Sequence, residues 1–107
     1  MENISATELA TWLADSGRPA PVLLDVRELS EYHICHLSGV LHIPMQDIPA
    51  QLQQFDPDET VVCICHHGMR SRQVAFFLES QGVSHVYNLT GGVHAWAQLV
   101  DPSMATY

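Results

Sequence analysis

The sequence predicts an α/β fold: a central, mostly parallel sheet of about five strands, flanked by helices on both faces. Continuous apolar runs such as Val22–Val26 and Thr60–Cys65, the pattern of strands buried on both faces, alternate with segments of helical spacing along the whole chain. Capping residues, glycines and prolines fall between these segments, where helices start and stop. Apolar residues make up 47% of the 107, enough to fill one core.

Ser5-Ala6-Thr7-Glu8 has the spacing of a capping box, so a helix is expected from there to about Ala14. Gly17, Pro19 and Pro21 end that pattern, and Val22-Leu23-Leu24-Asp25-Val26 reads as the first strand. A short helix is expected over Leu29–Ile34, a small strand over Val40–Ile43 that stops at Pro44, and a helix around Ile48–Gln54. Asp56-Pro57-Asp58 marks a turn. The β-branched or small apolar run Thr60–Cys65 is the strongest strand signal and belongs in the middle of the sheet. A long helix follows over Ser71–Gln81, with Gly82 where a helix C-terminus favours positive φ. Val83–Leu89 gives a last strand, Gly91-Gly92 a turn and Val93–Val100 a closing helix. The residues after Asp101-Pro102 are expected to fray.

Twelve acidic residues against four arginines give a formal net charge of -8, which excludes phosphate-backbone binding as a main function. Any anion site must then be built locally, from backbone N–H groups and the few Arg side chains. No apolar stretch is long enough for a membrane span, and Met-Glu-Asn-Ile lacks the basic start of a secretory signal. A cytoplasmic protein is the expectation, with neither nucleic acid nor membrane among its partners. Three cysteines at irregular spacing suit a reducing compartment and one functional thiol better than a disulfide framework.

The chemistry is expected in Cys65-His66-His67-Gly68-Met69-Arg70-Ser71, between the strongest strand and the longest helix. Ligands of parallel sheets bind at the carboxyl ends of strands, and a helix N-terminus there offers free N–H groups to a thiolate. Gly68 would let the backbone curl into an anion-binding nest, and Arg70 would add a fixed positive charge or brace the loop. Cys65 is therefore the candidate nucleophile, with His66, His67, Gly68, Met69, Arg70 and Ser71 as candidate substrate-binding residues. The same position also suits a small buried core cysteine. Asp25 and Arg27 read as a structural pair, Cys63 as core, and Cys35 as an inert helical residue or a second thiol. The His66 and His67 side chains could tune the thiolate or contact an acceptor. The C-x-C-H-H run lacks the separated ligand pairs of a metal site, so neither a metal nor any other cofactor is expected.

These residues resemble the rhodanese homology domain over nearly the whole chain. Asp25-Val26-Arg27 with Glu31-Tyr32, then His36-Leu37-Ser38-Gly39-Val40-Leu41-His42-Ile43-Pro44, is similar to the family's D-V-R, E-Y and H-I-P-G-A-x-N-I-P stretches. Cys65-x-x-Gly68-x-Arg70-Ser71 resembles its active-site loop, and Gly91-Gly92 with Ala95-Trp96 its closing motif. Cys35 stands where many members have Gly, and Glu31 where two-domain thiosulfate enzymes tend to have Arg. The resemblance implies one rhodanese-like domain over residues 1–107 and a Cys65 persulfide cradled by residues 66 to 70. It implies transfer of sulfane sulfur from thiosulfate or a persulfide to cyanide or a thiol, with small-molecule or protein donors and acceptors. The related phosphatases of the cell-cycle type have one more residue between Cys and Arg than the four found here, a spacing that favours sulfur. Phosphatase or arsenate-reductase chemistry and a non-catalytic carrier or interaction module stand as the alternatives.

Overall fold

The computed structural model describes all 107 residues. Five strands, all parallel, form one sheet: β1 (Glu2–Ile4), β2 (Val22–Asp25), β3 (Leu41–His42), β4 (Thr60–Ile64) and β5 (His85–Leu89), in the spatial order β1-β5-β4-β2-β3. The helices are α1 (Ala6–Ala14), α2 (Leu29–Ile34), α3 (Met69–Ser80) and α4 (Gly92–Leu99). No helix is long and apolar enough to cross a membrane.

The apolar run of β4 puts it at the centre, hydrogen-bonded to β2 on one side and β5 on the other. Successive residues of a strand point to opposite faces, and β4 is buried on both. Val61, Cys63 and Cys65 join the core that packs under α3, with Val74, Ala75 and Leu78. Val62 and Ile64 face the other core, with Leu9 and Trp12 of α1 and Val93 of α4. Cys65 therefore points to the side where α3 begins.

Several expected boundaries shift for physical reasons. The capping box forms as read: Ser5 Oγ accepts from the Glu8 N–H at 3.1 Å, and Glu8 accepts from the Ser5 N–H at 3.0 Å. The expected helix at 48–54 is instead a pair of 3₁₀ turns, Met45–Asp47 and Pro49–Gln54, interrupted by a non-helical Gln51. Ile48, between the two turns, is buried in the core under α3, and only Met45 and Leu52 of the turns pack, partly buried, against that core. The strand expected over Val40–Ile43 keeps two paired residues, Leu41 and His42. The edge strand β1 is an addition, three residues being too short for a legible alternation. The tail after Pro102, where fraying is expected, has no backbone hydrogen bond beyond Met104. It turns back, and Tyr107 is fastened by its hydroxyl to Arg27 and Glu31, polar groups that a reading of local composition does not bring near residue 107.

Candidate active site

The chain leaves β2 toward β3 and leaves β4 toward β5, so the loops after these neighbouring strands part and leave a crevice at the carboxyl edge of the sheet. The loop after β4 is Cys65 to Gly68, and α3 starts at Met69. Gly68 caps α3 at φ +97°, and its N–H turns back to donate to Cys65 Sγ at 3.1 Å. A side chain at Gly68 would meet the Leu89 carbonyl at 3.1 Å, so the turn is closed by the absent Cβ as well as by the positive φ.

Ser71, in the first turn of α3, is fully buried with its Oγ 3.2 Å from Cys65 Sγ. The Ser71 hydroxyl donates to Asn88 Oδ1 at 2.6 Å. Ser71 has one proton, which serves Asn88 or a bare sulfur but not both. With that proton on Asn88, the neutral Cys65 thiol donates to Ser71 Oγ. Asn88 closes the arrangement: its amide donates to the Gly68 carbonyl at 3.2 Å and to Asn3 Oδ1 at 3.3 Å. One buried amide on β5 thus fixes the loop, the helix start and the β1 edge.

The other wall is α4. Its Val93 and His94 N–H groups donate to the Cys65 and His66 carbonyls at 2.9 and 3.1 Å. Gly92 is packed against those carbonyls so closely that a Cβ there would stand 2.2 Å from the Cys65 oxygen and 2.4 Å from that of His66. The imidazoles of His66, His67 and His94 gather at the mouth, centroids 4.2 to 6.0 Å apart. Burial, then the neighbouring His67 and His94, holds His66 below the ordinary imidazole pKa.

Arg70 does not reach into the loop as a free charge. Its two terminal nitrogens donate to the two Glu31 oxygens at 2.7 and 2.8 Å, a bidentate pair that bridges α2 and α3. The Arg70 hydrogen bonds are the main reason that the Glu31 carboxyl is lowered to a pKa of about 2. Of the two roles expected for Arg70, the geometry gives the brace. Met69 is 72% exposed, and His67 is exposed at the rim.

Asp25 and Arg27 are fully buried and paired at 2.6 Å, and Arg27 also donates to the Cys35 carbonyl at 2.6 Å, tying the end of β2 to the end of α2. Cys63 is core, its thiol pushed up to about 12 by burial. Cys35, half-buried, lies with His66, His94 and Tyr107 around a narrow crevice, and all three thiols are free.

Sequence reasoning missed Asn88 and Tyr107, and met Glu31 in a family motif and as a departure from the two-domain enzymes but not as the partner of Arg70. A signal existed for Asn88, a lone amide in the apolar strand Val86–Leu89. None existed for Tyr107, whose partners are 76 to 80 residues away.

A family model described as a rhodanese-like domain matches residues 5–99. A chloroplastic Arabidopsis thaliana protein, rhodanese-like/PpiC domain-containing protein 12, is 40% identical over 89 residues, 79% of this chain and 30% of that protein. The thiosulfate sulfurtransferase GlpE of Actinobacillus succinogenes is 34% identical over 86 residues, 80% of this chain and 78% of its own. The crystal structure of SSP1007 from Staphylococcus saprophyticus superposes with a TM-score of 0.85 at 35% identity, covering 94% of this chain and 97% of that one. The chain spans less than half the length of several curated relatives, between 26% and 40% of them.

Proposed function

The chain belongs to the rhodanese-like domain family, and on that premise we propose that it is a sulfurtransferase that carries sulfane sulfur on Cys65. The observation that carries the reading is the position of Cys65 Sγ at the end of the central strand, 3.1 Å from an inward-turned N–H at the start of α3. The thiolate is the form that attacks, and the inward-turned N–H is placed to donate to it.

The steps balance without a cofactor. The Cys65 thiolate attacks the outer sulfur of thiosulfate, the Sγ–S bond forms, and the donor S–S bond breaks with its electron pair leaving on sulfite. With an organic persulfide the leaving group is the thiolate. An acceptor, cyanide or a thiolate, then attacks the outer sulfur of the Cys65 persulfide. It departs as thiocyanate or a new persulfide and returns the Cys65 thiolate. The loop N–H groups from His66 to Arg70 cradle the terminal sulfur, and Ser71 can turn its proton from Asn88 to Sγ when that sulfur has lost its hydrogen. The name of the Actinobacillus relative supports thiosulfate as one donor. Residues 1–107 are taken as one such domain.

Phosphate chemistry fits less well. Arg70 is engaged by Glu31 at both nitrogens, so a phosphoryl dianion would meet no free guanidinium in the loop. The test is thiocyanate formation from cyanide with thiosulfate or an organic persulfide as donor. Turnover by the native chain, abolished in Cys65→Ser, is expected. Hydrolysis of an aryl phosphate that depends on Cys65, without sulfur transfer from either donor, overturns the proposal.

A further inference from the structure

The residues after Pro102 run back across the mouth of the Cys65 loop. The Tyr107 ring lies on the imidazole of His66, centroids 4.0 Å apart and planes inclined by 21°. Its hydroxyl accepts from Arg27 Nη1 at 2.9 Å and donates to Glu31 Oε1 at 3.0 Å. The same Glu31 carboxylate holds Arg70. One side chain is therefore fastened to His66 of the loop directly and to Arg70 of α3 through a carboxylate. Beneath it, Cys65 is only 1% exposed.

Some part of this arrangement must move for a reagent to reach the sulfur, and the parts are unequally held. The loop is braced by Val93, His94 and Asn88 and is packed on Gly92. Beyond Met104, by contrast, the backbone makes no backbone hydrogen bond, and residues 105 to 107 are exposed. Segments with few buried contacts and no backbone pairing open at the lowest free energy.

We propose that Tyr107 is a specificity-determining residue of the sulfur-transfer site: docked on His66 and tied to Glu31 and Arg27, it favours small donors and acceptors at Cys65, because bulky ones reach the sulfur only when it lifts. The proposal rests on the sulfurtransferase reading of Cys65. A bulky reagent reacts only with the fraction of molecules in which the tail is lifted, so its rate scales with that fraction, whereas a small reagent is less affected. Tyr107→Ala removes the stack and both hydrogen bonds. Tyr107→Phe keeps the ring and removes only the hydroxyl.

The experiment measures alkylation of Cys65, located by peptide mass spectrometry, with iodoacetamide and with a poly(ethylene glycol) maleimide, on the native chain and both variants. Urea midpoints of the three proteins establish that each is folded. The bulky-to-small rate ratio is expected to rise about tenfold in Tyr107→Ala, a change of ~1.4 kcal/mol in the open population, and by less in Tyr107→Phe. A ratio equal in all three folded proteins overturns the proposal. The same proteins are exposed to thiosulfate and to glutathione persulfide. Sulfur loading with an unchanged alkylation ratio refutes the role of Tyr107 alone. A changed ratio with no loading from either donor refutes the sulfurtransferase reading and with it Tyr107 as a determinant of donor choice.

Discussion

Gly92→Ala tests whether α4 sets the position of the candidate nucleophile. Gly92 has φ +58°, a conformation that costs an L-residue about 1 kcal/mol. The added methyl would also stand 2.2 Å from the Cys65 carbonyl oxygen, 2.4 Å from that of His66 and 2.6 Å from the His66 carbonyl carbon. Those atoms are backbone and cannot swing aside, so loop and helix must separate by about 1 Å to restore ordinary contact. Separation weakens the Val93-to-Cys65 and His94-to-His66 hydrogen bonds, at about 1 kcal/mol each. The sum is about 3 kcal/mol, which for a domain of this size lowers Tm by roughly 10–20 °C. A sulfur misplaced by about 1 Å loses on the order of 100-fold in rate. Calorimetry gives the first quantity, and the rate of sulfur loading below the variant's Tm gives the second. A variant with native Tm and native loading rate refutes the argument that Gly92 is required by this contact.

Three further outcomes follow from other parts of the structure. The Glu31 carboxyl is depressed from 4.5 to about 2, chiefly by its hydrogen bonds from Arg70, so its contribution is complete above pH ~4.5 and disappears as the pH falls toward 2. Because the pair is partly exposed, the contribution is about 1 kcal/mol: Glu31→Gln should lower the urea-derived stability by that amount at pH 7 and leave no difference near pH 2, and a pH-independent difference contradicts the ion-pair account. Asn88→Leu leaves the Gly68 carbonyl without its buried side-chain donor and the Ser71 hydroxyl with Cys65 Sγ alone, and should destabilise the chain by about 1–3 kcal/mol, an expectation that an unchanged urea midpoint contradicts. Ser5→Ala removes the α1 cap and should cost about 1 kcal/mol in the same measurement, with no loss of sulfur loading; a parallel loss of loading would tie the α1 cap to the site.

What could be read from the chain follows the range of each signal. β4 and the start of α3 rest on local patterns, a continuous apolar run and a glycine before a helix. Those patterns located Cys65 at a strand end and Ser71 at a helix start. Asp25 and Arg27 stand two residues apart at a strand end, close enough to be read as a pair. The brace between Glu31 and Arg70 joins residues 39 apart, and neither side chain announces its partner. Asn88 faces the same difficulty, since its role depends on the β4–β5 register that pairs Cys63 with Asn88. Tyr107 lies farthest beyond local reasoning. An exposed aromatic after a proline suggests a free tail, and only the tertiary fold brings His66, Arg27 and Glu31 to it. The two 3₁₀ turns at 45–54 show the converse, an apolar periodicity too short, and too interrupted at Gln51, to form an α-helix.

The most direct test of the Cys65 account is intact-protein mass spectrometry after brief exposure to thiosulfate or glutathione persulfide, then to cyanide, on the native chain and on Cys65→Ser. A gain of about 32 Da, one sulfur atom, on the native chain alone, discharged by cyanide, is the predicted result. The same gain on Cys65→Ser would place the sulfur on Cys35 or Cys63, and no gain on the native chain from either donor would contradict the persulfide mechanism.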